Sequence, residues 1–229
     1  MKKNLISLMI ALMAITLFSS CNKDDDSSSG GNPSVMNAKN VMYDNSDIVT
    51  VNAVMEVYDD ILDIGYVIAT APYQNHGFKL ALPDPPSTCL YEISHEFDPE
   101  GGIVVSDPNA KIGYTWALAY DINNNNIGDF FYWGMNTKTY VSAYYVYADR
   151  NFTIKGKIKY DDEDEYFEES NCSFKKGWNI IYYIDNENSF LTSTKKPSGI
   201  IMEWGFSIDG DLKSTKHQTL FQKMNARRN

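Results

Sequence analysis

From Ile48 onward, hydrophobic and polar positions alternate along the chain with a period of two, in short stretches separated by turn residues. The stretches that read as strands lie near 48–58, 64–71, 77–82, 111–121, 129–135, 139–149, 152–160, 165–174, 178–185 and 199–208. Ile112, Tyr114, Trp116, Leu118 and Tyr120 share one face against Gly113, Thr115, Ala117 and Ala119. Ile200, Met202, Trp204, Phe206 and Ile208 likewise oppose Glu203 and Ser207. Period-two patterning rich in β-branched and aromatic residues is the signature of strands. Turn signals fall between the segments at Gln74–Gly77, Asn123–Gly128, Lys175–Gly177 and Pro197–Gly199. Such short connections favour antiparallel neighbours, because a parallel crossover needs a dozen or more residues. The expected fold is all-β, an antiparallel β-sandwich spanning about 38–210. A barrel-like meander, or two packed β sub-domains dividing near 107, are the alternatives. Pro83–Pro86 and Glu96–Asn109 read as irregular.

The first residues follow a different pattern. Lys2 and Lys3 precede an apolar run from Leu5 to Phe18, and Ser19 and Ser20 stand directly before Cys21. The run is too short for a hydrocarbon core that needs about 20 helical residues. It reads as a signal peptide over 1–20, with Cys21 placed for lipidation. The stretch Cys21-Asn22-Lys23-Asp24-Asp25-Asp26 resembles the mature N-termini of surface lipoproteins of the Bacteroides phylum. That resemblance covers residues 1 to about 26, with Phe18 where a leucine is usual. It implies a lipid anchor on the outer membrane, facing the cell exterior. Each buried CH₂ contributes about 0.8 kcal/mol, so the several acyl chains that the resemblance implies would hold the protein on its membrane. Residues 21–37 read as a flexible tether, since Ser, Gly and Asp bury too little apolar area to order. Further on, Gly77–Pro83 resembles a hairpin strand of prealbumin-like sandwich modules.

Charge narrows the partners. The formal net charge is −10, and removing residues 1–20 takes away two lysines and no acid. With no basic stripe before Lys213, nucleic acid is not an expected partner. The tail over 211–229 is basic and reads as a short amphipathic helix or a frayed end. Once Cys21 is acylated, Cys89 and Cys172 are left to form a disulfide or to pack as two buried thiols. Closing that loop would restrict the unfolded chain by on the order of 4–5 kcal/mol. Nothing in the sequence brings the two together, which favours thiols.

No catalytic residue, metal ligand or cofactor is assigned. His95-Glu96 opens like a zinc-peptidase motif, but Pro99 stands where the second ligand belongs. Asp121, Asn123 and Asn125 match the first ligand positions of a calcium loop. Tyr132, however, occupies the place of the closing carboxylate, so a solvated hairpin turn is the better reading. Asp161–Glu165 reads as a solvated acidic turn.

Aromatic residues make up 14% of the chain and carry the remaining hint. Trp116, Trp178 and Trp204 lie on apolar faces and are expected in the core. Phe130–Trp133 and Tyr140–Tyr147 are apolar on both faces. Such strands are either covered on both sides or display a binding surface. On the second reading the candidate ligand residues are Tyr132, Trp133, Tyr144 and Tyr145. The functional expectation is a non-catalytic surface module that binds a ligand, foremost a glycan. The alternative is a structural or adhesive envelope protein with a protein partner, and a hydrolase comes last.

Overall fold

In the computed structural model, which describes residues 33–57, 65–93, 102–159 and 167–208, fourteen strands account for most of the described residues. They are β1 (Val35–Ala38), β2 (Thr50–Glu56), β3 (Gly65–Pro72), β4 (Phe78–Ala81), β5 (Tyr91–Glu92), β6 (Ile103–Val105) and β7 (Lys111–Tyr120). After these come β8 (Asn126–Met135), β9 (Thr139–Ala148), β10 (Phe152–Lys159), β11 (Phe167–Phe174), β12 (Gly177–Asn186), β13 (Ser189–Ser193) and β14 (Glu203–Ser207). Among the described residues the one helical turn is a 3-10 segment at Ser87–Cys89, and no helix is long and apolar enough to cross a membrane. Residues 1–20, Cys21, His95, Glu96, the acidic run 161–165 and the tail 211–229 lie outside the described residues.

The fold is an antiparallel β-sandwich. β1 and β4 form a small sheet. The others join a large sheet in the order β3-β2-β7-β8-β9-β12-β13-β11-β10-β6, with β14 on β8 and β5 on β7, and this sheet does not close into a barrel. One pairing departs from the expected antiparallel order. β13 inserts between β12 and β11 and runs parallel to β11. The connection over 175–188 meets the length a parallel crossover requires, but it is filled by a strand in place of a helix.

Asparagine and aspartate chemistry makes the hairpins. Asp121 Oδ1 accepts the N–H groups of Asn123 and Asn125, both at 2.8 Å, and its Oδ2 accepts Asn125 Nδ2 at 2.9 Å. Asn124 takes φ +62°, a left-handed conformation that Asn tolerates. This closes β7 onto β8. Asn136 Oδ1 accepts from the backbone of Lys138 and Thr139, each at 2.9 Å, and turns β8 into β9.

Two core clusters lie on opposite faces of the central strands. Ala117 and Ala119 of β7, Tyr145 and Tyr147 of β9 and Trp178 of β12 pack with β1, β2, β4 and β14. Ile112, Val146, Ala148 and Ile181 face the other way, onto β6, β10 and β11. The large sheet thus folds over part of its own outer face.

Several expectations need correction. Four strands escaped the period-two reading (β1, β5, β6 and β13), each of five residues or fewer. β1 moves the start of the folded body into the segment read as tether, with Met36 only 1% exposed. β6 lies within the stretch read as irregular. On β7 the face assignment is reversed over its second half: Ala117 and Ala119 are buried, and Trp116, Leu118 and Tyr120 are half-buried. Cys89 and Cys172 are both free and buried. They sit in different clusters, Cys89 in the first and Cys172 in the second, so the disulfide weighed above is not formed.

Candidate ligand site

β7, β8 and β9 pair two at a time around a gap. β7 pairs β9 over Ile112–Thr115 and β8 over Ala117–Tyr120. β8 in turn pairs β9 over Tyr132–Met135. The residue at the bend of each strand is left out of all three ladders: Trp116, Phe131 and Tyr144. Alternation places these three side chains on the outer face, opposite the buried Ala117, Phe130 and Tyr145.

A cavity of about 210 Å³ lies at this fork, lined from both faces of the sheet. On the outer side its walls are Trp116, Phe131, Trp133, Tyr140, Ser142 and Tyr144, all half-buried, with Asp129 beside them. Trp133 stacks on Tyr140 with ring centroids 6.0 Å apart and planes at 26°. Phe131 lies 6.1 Å from Trp133. Its ring fills the space that a Cβ at Gly205 would occupy, so the glycine on β14 seats the ring. On the inner side, Tyr132 and Tyr145 stack on Trp204 at 5.1 and 6.3 Å.

The four residues singled out from the sequence therefore line one cavity, but from two sides. Trp133 and Tyr144 belong to the half-open outer wall, and Tyr132 and Tyr145 to the core side. Coverage of the doubly apolar strands varies along their length. β9 is covered on both faces over Tyr145–Ala148, and its first half presents Tyr140, Ser142 and Tyr144 outward. Sequence reasoning missed Trp116, Phe131, Tyr140, Ser142 and Asp129. Trp178 and Trp204 are core residues as expected, each 7% exposed, and Trp178 Nε1 donates to the Pro83 carbonyl at 3.0 Å.

Trp133 Nε1 differs from that indole. It is sealed from solvent and meets no acceptor, which costs on the order of 1–3 kcal/mol. Buried donors are nearly always satisfied, so an orphan calls for a reason. The surrounding phenols are held neutral. Burial raises the pKa of Tyr144 and of Tyr140, and the nearby Asp129 charge raises that of Tyr144 further, against a hydrogen bond from Ser142. The site thus offers ring faces, one unused N–H and neutral hydroxyls beside a carboxylate.

A wider cleft of about 720 Å³ lies where Asn45–Val49 meets the β7–β8 turn. Its polar groups serve the turns themselves. Asp121 is spent on the hairpin, Asn45 Oδ1 accepts from Asp47 N–H at 2.9 Å, and Asn126 Oδ1 accepts from Gly128 N–H at 3.0 Å. Among the described residues no group of three His, Cys, Asp or Glu side chains is placed to hold a metal ion. No family model, curated protein or solved structure matches the chain.

Proposed function

We propose that this protein is a non-catalytic glycan-binding module, held by lipid on Cys21 to the outer membrane and facing the cell exterior. The fork cavity carries the reading: half-buried Trp116, Trp133, Tyr140 and Tyr144 line it, and the indole N–H of Trp133 has no hydrogen-bond acceptor. A sugar ring combines an apolar face, which stacks on aromatic side chains, with oxygen acceptors around its rim. The cavity corresponds to about seven waters at roughly 30 Å³ each, the scale of one ring and its substituents. The anchor and acidic tether would hold the sandwich off the lipid surface. A glycan-array screen tests the proposal: saturable binding that falls at least about tenfold in Trp133→Ala and Tyr144→Ala is expected. Binding that ignores both changes would remove the site.

A second reading, a structural or adhesive envelope subunit, draws on β3. Among the described strands β3 ends the large sheet and pairs only with β2. Gly65–Pro72 holds no charged residue and exposes Tyr66 and Val67, each at 46%. Uncharged edges invite strand addition, although the bulge opposite Ala53/Val54 blunts this one. Self-association abolished by Val67→Lys, without any glycan affinity, would favour this reading.

A further inference from the structure

The orphaned N–H of Trp133 restricts what can complete the fork. Trp133 lines the cavity, and its ring already meets two others, Tyr140 at 6.0 Å and Phe131 at 6.1 Å. The N–H at its edge is sealed from solvent and has no acceptor. A ligand that satisfies this donor must carry an acceptor oxygen in among aromatic rings. A carboxylate would have to leave water with no cation to meet it, since no lysine or arginine is among the described residues lining the cavity. An unpaired buried charge is costly. A hydroxyl accepts, but it brings a donor of its own into the same sealed place, and that donor must be satisfied in turn. The ring oxygen of a sugar is built into the ring and cannot reach past it. The carbonyl oxygen of an acetamido group differs from all of these. It only accepts, it is uncharged, and it stands on a short arm beside a methyl group that suits a wall of aromatic rings. The amide N–H points the opposite way across the planar trans amide, so it stays with water.

We infer that the fork selects sugars bearing an acetamido group, and that the Trp133 N–H is the contact that selects them. This rests on the glycan reading above and deepens it. The acetamido carbonyl accepts the N–H, its methyl group packs among the rings, and the apolar face of the sugar lies on the outer wall. Because the N–H is closed to solvent in the free protein, the Trp133 ring shifts to admit the carbonyl, and tryptophan fluorescence reports the event. A site built around one hydrogen bond to its ligand rejects an analogue that lacks the partner, because its own buried group is then left unpaired. A sugar with a plain hydroxyl in place of the acetamido group is such an analogue.

The test titrates the purified full chain with the β-1,4-linked trimer of N-acetylglucosamine and, separately, with the β-1,4-linked trimer of glucose. The two differ only in carrying an acetamido group or a hydroxyl at one ring position, and calorimetry and tryptophan fluorescence follow binding. The N-acetylated trimer is expected to bind at least about tenfold more tightly, the factor given by 1.4 kcal/mol. In Trp133→Phe the two affinities should converge to within about threefold. The ratio isolates the N–H, since any change in stacking weakens both trimers alike. Equal binding of the two trimers by the natural protein would overturn the acetamido preference and leave glycan binding standing. A preference that survives in Trp133→Phe would overturn the assigned contact. Binding of neither trimer, with other sugars still captured on an array, removes the acetamido class alone; failure on the array as well removes both readings. Should Trp133→Phe fold poorly, the indole N–H signal of Trp133 in the natural protein still decides. It should move further downfield with the N-acetylated trimer than with the glucose trimer, and equal movement with both at saturation would overturn the contact.

Discussion

Trp133 lies against Tyr140 across the β8–β9 ladder, with planes inclined by 26°, yet its indole nitrogen is sealed away from every acceptor. The pair is well packed and incompletely bonded at the same time. In a free protein such a donor is a cost. At a binding site it is recovered when a ligand supplies the missing oxygen.

Trp133→Phe separates the two effects. Phenylalanine keeps much of the ring contact and deletes the orphan N–H, so the free protein should gain about 1 kcal/mol in denaturant unfolding. Ligand affinity should fall in the same variant. Stability gained while function is lost is the trade-off expected of a residue kept for binding. A variant less stable than the natural protein would instead place the indole among structural residues.

Gly205→Ala probes how the wall is held. A Cβ there overlaps the Phe131 ring, which must swing toward the cavity or push β14 from β8. A loss of about 1–3 kcal/mol is expected from overpacking, with weaker ligand binding. Alanine at the turn position Gly177, where an added Cβ would meet nothing, should leave ligand affinity unchanged.

Thiol chemistry tests both the core and the anchor. Burial raises the pKa of Cys89 and pushes Cys172 up to about 12, and a neutral, buried thiol is a poor nucleophile. Neither should react with an aromatic disulfide reagent in the native protein at pH 8. In denaturant the mature protein should release two equivalents, from Cys89 and Cys172. A third equivalent would mean that Cys21 is not acylated, and none would mean that the other two are bonded.

Acid should loosen the corner where β4 begins. The Asp44 carboxyl is held below its ordinary value chiefly by the Tyr73 hydroxyl at 2.7 Å, with burial opposing and His76 at 2.8 Å assisting. A carboxylate whose pKa is lowered by folding stabilises above its unfolded value, near 4, and loses that contribution as pH falls through its folded value. Asp44→Asn should therefore cost about 0.5–1 kcal/mol at pH 7, a figure reduced for solvent screening. The cost should vanish near pH 2. Thermal melts of both proteins at the two pH values check this.

The strands were legible because their alternation is a local property. Which face turns inward was not, and β7 shows why. Both of its faces are apolar, and the inner cluster already holds the rings of Phe78, Phe130, Trp178, Trp204 and Phe206. Close packing leaves room there for Ala117 and Ala119, and not for Trp116. That volume constraint involves residues distant in sequence. Tyr132, Trp133, Tyr144 and Tyr145, which line the cavity, were singled out because doubly apolar strands attract notice one strand at a time. Trp116 and Asp129 joined them only through the three-way pairing, which no single segment encodes. The parallel β11–β13 contact escaped for the same reason.

The central claim is that a glycan enters the fork beside Trp133, and the indole N–H signals in a ¹H–¹⁵N spectrum test it most directly. Trp116 and Trp133 line the outer wall, and Trp178 is tied to the Pro83 carbonyl deep in the core. On titration with a bound glycan the Trp133 signal should move most, downfield as it gains an acceptor, with Trp116 following and Trp178 unchanged. A titration that binds ligand while the Trp133 signal stays in place would contradict the account.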